Sequence, residues 1–138
     1  MLIYANLWLD FFFIKIMKRV IGIGGIFFKA QNPKALAEWY RKHLGIEFGD
    51  KTYYDFQFQE KEKGWTAFSL FKVDTQYFDP SAKEFMLNLR VESLDAVLEI
   101  LRAEGVRVFD EREDGDYGKF GWILDLEGNK IELWEPLD

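Results

Sequence analysis

Between residues 33 and 45 the apolar side chains Leu36, Trp39, Tyr40 and Leu44 return at helical spacing, with Asn32-Pro33 in front and Gly45 behind. The pattern predicts a helix over 34–44, preceded by an apolar strand at 25–28. The same signal recurs later in the chain. Residues 86–91 read as a strand and 93–102 as a helix with Leu94, Val97, Leu98 and Leu101 on one face, stopped by Gly105. Each helix is followed by three strand candidates, at 46–48, 53–59 and 65–73 in the first half and at 106–109, 120–125 and 130–135 in the second. Both halves are therefore βαβββ, offset by about sixty residues, a period too long and too seldom repeated for a solenoid.

Finer patterning adds detail. Tyr54, Phe56 and Phe58 alternate with Asp55, Gln57 and Gln59, which predicts one buried and one wet face for 53–59. Residues 126–129 predict a tight hairpin turn in which Gly128 and Asn129 tolerate positive φ. The acidic stretch 110–118, with two glycines, reads as a solvated connection or as a flap over a pocket mouth with Tyr117 as a ligand contact.

The chain has 138 residues, nearly half of them apolar, enough for one sizeable core. Fourteen Phe and five Trp exceed what a helix–sheet core of this size needs, so either the core is Phe-rich or some rings line a concave surface. A net charge of -6 without a basic stripe argues against a nucleic-acid partner. With no cysteine, disulfides, thiolate metal sites and Cys nucleophiles are excluded, which suits a reducing, cytoplasmic setting. Residues 1–16 are an apolar N-terminal extension ahead of a single domain over 17–138. The run contains Asp10, is shorter than a spanning helix, and lacks a secretory signal's basic start and cleavage site, so no membrane partner is expected. It is expected to pack as an added strand or helix, because Leu7, Trp8 and residues 11–13 would otherwise be exposed.

The residues GIFF at 25–28, Asn32-Pro33, AEWYRKHLGI at 37–46, NLRVESLDA at 88–96 and GWILDLEGNKIELW at 121–134 together resemble the vicinal oxygen chelate superfamily, which includes glyoxalase I, extradiol dioxygenases and bleomycin-resistance proteins. The resemblance covers about 18–137. It implies an α+β fold of the glyoxalase/bleomycin resistance/dihydroxybiphenyl dioxygenase type: two βαβββ modules, about 18–74 and 84–137, curled into a half-open barrel around a pocket, commonly in a homodimer. It does not fix a reaction. Metal-using members place ligands at positions that map to Gly25, Ser69, Met86 and Glu132. Gly has no side chain, Met is a soft thioether and neutral Ser a poor ligand, so only Glu132 qualifies and no tightly bound metal or other cofactor is expected. The sole histidine, His43, is expected at the helix C-terminus or in solvent.

Strand alternation gives the side chains sharing a face with those four positions. They are Ile23, Phe27 and Lys29 on the first strand, Trp65, Ala67 and Phe71 on the fourth, and Asn88, Arg90 and Trp134 in the second half, with Leu87, Leu89, Val91, Ile131 and Leu133 turned to the helices. The candidate ligand-binding set is Phe27, Trp65, Ser69, Phe71, Met86, Asn88, Arg90, Tyr117, Trp122, Glu132 and Trp134. Such an aromatic pocket with few polar points suits a planar or partly apolar small molecule. Glu132 is the candidate catalytic residue: a desolvated proton-transfer base or a hydrogen-bond acceptor for a ligand, against the plain alternatives of a salt bridge to Arg90 or Lys29 or a family relic facing water. Three functions stay open: a metal-independent small-molecule binder of the bleomycin-resistance kind, a glyoxalase-like lyase or isomerase or a dioxygenase-related enzyme using Glu132, and a structural or regulatory module with a vestigial pocket.

Overall fold

The computed structural model describes residue 23 and residues 25–137. The expected extension over 1–16 and the start of the first module lie outside the described residues. Helix α1 spans Pro33–Leu44. Asn32 caps it by accepting the Ala35 N–H at 3.1 Å, and Pro33 stands where a missing N–H costs nothing. Gly45 ends it in the left-handed region at φ 68, its N–H reaching the Arg41 carbonyl at 3.1 Å. Helix α2, Leu94–Ala103, starts the same way, with Ser93 accepting the Ala96 N–H at 3.3 Å.

Four strands follow the second-module pattern: β1 (Leu87–Arg90), β2 (Val108–Gly115), β3 (Gly118–Leu124) and β4 (Lys130–Pro136). They form a curved, unclosed sheet in the order β1-β4-β3-β2, with β1 parallel to β4 and the other pairs antiparallel. The result is an α+β fold. One face of the sheet is covered by helix: Leu94, Leu98 and Leu101 of α2 meet Leu87, Ile123, Ile131 and Leu133, joined by Leu36 and Tyr40 of α1. Burial of each such leucine contributes about 2 kcal/mol, and this cluster is the main store of stability. Gly121 lets α2 come this close, since a Cβ there would lie 3.0 Å from a Leu98 methyl.

Two contacts tie α1 to the second module. Glu127, in the β3–β4 turn, accepts the backbone N–H groups of Gln31 and Asn32 at 2.8 and 2.9 Å, and these donors hold its carboxyl below the usual range. The buried Tyr40 hydroxyl donates to Asp125 at 2.9 Å, and burial, then the Asp125 charge, pushes the phenol up. Asp125 also receives the Asn129 amide at 2.8 Å. The expectation of positive φ in this turn holds for Gly128, at 80°, but not for Asn129, which is buried and held by its side chain instead.

Three expectations are corrected. In the first module the helix forms, but 25–28, 46–48, 53–59 and 65–73 carry no strand pairing. The alternation at 53–59 buries neither face, and Phe58 is 99% exposed. Alternation encodes which side chains share a face, whereas a strand exists only where a neighbour supplies the backbone ladder, and these segments find none among the described residues. Second, most of 110–118 is not an irregular connection: it is the outer part of β2 and the turn into β3. Its charges suit an edge strand, where they block pairing with another chain. Third, His43 stands in the last turn of α1 as expected but not in solvent; its Nδ1 lies 3.1 Å from Glu104 Oε1 and its ring packs on Trp39, joining α1 to the end of α2.

Candidate functional site: a buried carboxylate under an aromatic face

The sheet register brings the site together. Asn88 of β1, Glu132 of β4 and Trp122 of β3 stand side by side in one row across three strands, and Arg90, Trp134 and Phe120 form the next row on the same face. Alternation along β4 sends Ile131 and Leu133 into the helix-covered core and leaves Lys130, Glu132 and Trp134 on the opposite, concave face.

Glu132 is 8% exposed. Its Oε2 accepts the Asn88 amide at 2.6 Å, and its Oε1 accepts the Trp122 indole N–H at 3.1 Å and the Tyr77 hydroxyl in a short hydrogen bond. All three donors are neutral. Oε1 thus carries two donors, and Oε2 retains room for one more. Tyr77 is pinned at its other end as well, because Lys130 Nζ donates to its backbone carbonyl at 2.7 Å. Burial, followed by the bond to Glu132 and its charge, pushes the Tyr77 phenol up. Lys130 lies 5.3–5.7 Å from the ring centroids of Tyr77, Phe109 and Trp122, and burial pushes its ammonium down.

Rings continue along the face. Phe120 stacks on Trp134 at 5.9 Å, Trp65 meets Trp134 edge-on at 4.9 Å, and Tyr117 meets Trp65 at 6.2 Å. The Trp134 indole donates to the Tyr117 carbonyl at 2.7 Å. Beside Tyr117 and Phe120 lies a cavity of about 290 Å³ lined by Tyr77, Glu113, Gly115, Asp116, Tyr117, Phe120 and Glu132. A second, of about 650 Å³, lies on the other side of Tyr77 and reaches Phe109, Trp122 and Lys130.

The structure therefore gathers Trp65, Asn88, Arg90, Tyr117, Trp122, Glu132 and Trp134 on or beside one face. It does not gather the rest. Phe27 is 97% exposed and Ser69 is exposed in an unpaired segment. Phe71 reaches the site only indirectly, through its stack on Tyr77 at 5.5 Å, and Met86, half-buried, precedes β1. Arg90 makes no salt bridge to Glu132; it donates to the Trp65 carbonyl and to Glu62, each at 3.0 Å. Sequence reasoning missed Tyr77, Phe120, Glu113 and Lys130. Phe120 was accessible, since it alternates with Trp122, and Lys130 with Glu132. Tyr77 lies outside every periodic segment and carried no signal beyond its aromatic neighbour Phe78.

The four positions where metal-using relatives place ligands do not fit an ion. Gly25, Ser69 and Met86 offer no hard charged donor, and the oxygens of Glu132 bond Tyr77, Trp122 and Asn88. Among the described residues no three or more His, Asp or Glu side chains stand close enough together to hold a metal ion. No helix of the described residues is long and apolar enough to cross a membrane.

A family model for the glyoxalase-like domain matches residues 25–134. Among solved structures, TnmS3, an antibiotic binding protein from Streptomyces sp. CB03234, is 33% identical over 37% of this chain and 41% of its own, with a TM-score of 0.34. A glyoxalase/bleomycin resistance protein/dioxygenase superfamily member from Sphaerobacter thermophilus DSM 20745 is 26% identical over 36% and 40%, with a TM-score of 0.33. The chain thus spans about two fifths of the length of these two. The virulence protein STM3117 from Salmonella typhimurium is 14% identical over 74% and 86%, with a TM-score of 0.41. Among curated proteins none matches the chain.

Proposed function

This chain belongs to the glyoxalase-like domain family, and from that premise we propose that it binds a small, partly aromatic or apolar molecule on the concave face of the sheet without a tightly bound metal, in the manner of bleomycin-resistance proteins. One observation carries the reading: a carboxylate nine-tenths buried, held by three neutral donors, at the wall of a ring-lined cavity. The rings supply area, and the remaining acceptor position on Oε2 orients a ligand that brings a hydrogen-bond donor. Glu132 acts here as anchor. As the base of a lyase or isomerase it would first have to lose Tyr77 or Trp122 from Oε1, or work through Oε2 alone.

The proposal extends to a homodimer in a cytoplasmic setting, with the first-module segments completed by a partner's surface. Support comes from the large apolar side chains those segments leave open, among them Phe27, Phe58, Phe68, Leu70 and Val73. The test of the binding function is a thermal-shift screen of chelator-dialysed protein against aromatic compounds. Compounds that raise the melting temperature are expected, and they should lose that effect in Trp122→Ala and Trp134→Ala, each compared with its own ligand-free midpoint. A requirement for added divalent metal would contradict the proposal.

A further inference from the structure

Resting on that reading, we propose that the ligand of the 290 Å³ cavity is a cation, an organic ammonium group carried on an apolar or aromatic body, seated between the rings of Tyr77, Tyr117 and Phe120 and the carboxylates of Glu113, Asp116 and Glu132. The polar lining consists of those three acids and two phenols, with no Lys or Arg. Strand geometry produces this sorting. Arg112 and Lys119 neighbour the cavity in sequence but project to the other face of the sheet, where both reach Asp95 at the start of α2. Arg90 is held by Glu62 and the Trp65 carbonyl. Lys130 lies on the far side of Tyr77, lines the neighbouring cavity, and donates a hydrogen bond to the Tyr77 carbonyl.

Exposed acids on a hairpin are ordinarily a solvated face and nothing more. Glu132 changes the reading. It is 8% exposed, lines the same cavity, and forms no ion pair with a described residue: its oxygens meet three neutral donors, and Lys130, beyond Tyr77, feels its charge without contacting it. A charge so placed acts through a less polar medium than water and attracts a cation more strongly than a surface acid does. Ring faces add to the same preference, since their quadrupoles favour cations. An anionic ligand would meet three like charges.

The test uses three probes of nearly one shape: benzyltrimethylammonium, the neutral 2-methyl-1-phenylpropan-2-ol and phenylmethanesulfonate. Each is titrated into the full chain while tryptophan fluorescence is followed. The cation is expected to bind at least about tenfold tighter than the alcohol, with the sulfonate weakest, and added salt should narrow the gap. The double variant Glu113→Gln/Asp116→Asn, altered at two exposed positions, should narrow it while Glu132 keeps the remainder. Glu92→Gln/Glu99→Gln removes the same charge near and on α2 and should leave it intact, which separates the cavity from the net charge of -6. Alcohol or sulfonate binding as tightly as the cation overturns this inference and leaves the cleft reading standing. An equal loss of preference in both double variants also overturns it. Binding of none of the three overturns both.

Discussion

Glu132 has three donors and needs all of them. Replacing it with Gln keeps the volume but turns three hydrogen bonds to a charged group into neutral ones and puts an NH₂ group opposite Asn88, whose amide must turn over to present its oxygen. Glu132→Gln should lose about 1–3 kcal/mol in urea unfolding, and an unchanged midpoint and slope would remove the network from the account. Two phenols give a second prediction. Tyr40 and Tyr77 are both pushed up in the fold, Tyr40 by burial and then Asp125, Tyr77 by burial and then Glu132. For an acid whose folded pKa is raised, the folded state holds its proton where the unfolded chain has released it. The stabilisation is complete below the ordinary phenol value of about 10 and is lost as pH rises beyond it. Melting temperature should therefore fall with pH above about 10, less steeply in Tyr40→Phe, and an identical slope in that variant would contradict the assignment. Of these residues, Glu132 was visible in the sequence because its neighbours Ile131 and Leu133 fix the face it takes. Tyr77 was not, because its position follows from its long-range bonds to Glu132 and Lys130, which no periodicity encodes.

The hairpin of β2 and β3 depends on one glycine. Gly118 has φ +123, and a Cβ there would run into the Glu135 carbonyl of β4 and lie 3.0 Å from the Trp134 indole nitrogen. Gly115, at the other end of the turn, has open space around the same point. Gly118→Ala should cost more than about 2 kcal/mol and Gly115→Ala less than about 0.5 kcal/mol by chemical denaturation. Equal costs would mean that the hairpin does not pack as described. At this scale the second module was legible nearly throughout: β3 and β4 are apolar runs either side of a turn signal, and α2 repeats leucine at 94, 98 and 101. The outer part of β2 was not, since an edge strand with charges on both faces has the composition of a loop. The first-module strand segments show the converse, alternation without a partner. There the local pattern competes with the unmet need for a ladder, and among the described residues the ladder is missing.

The molecule as a whole is a helix-backed half: one face of the sheet is sealed by leucines, and the other shows rings and carboxylates. Its first-module segments leave large apolar side chains such as Phe27, Phe58 and Leu70 open, which is the reason for proposing a pair of chains. Sedimentation velocity should return twice the chain mass of 16.4 kDa at micromolar concentration, and a persistent monomer would remove the partner from the proposal. Binding on the concave face is the central claim, and the indole N–H resonances of the five tryptophans test it most directly. In chelator-dialysed protein titrated with the three benzyl probes, at least one should shift the Trp122 and Trp134 signals saturably, while Trp39, packed against His43 on α1, stays in place. If Trp122 and Trp134 do not move, or move only once a divalent metal is restored, the concave face is not the metal-free binding site described here.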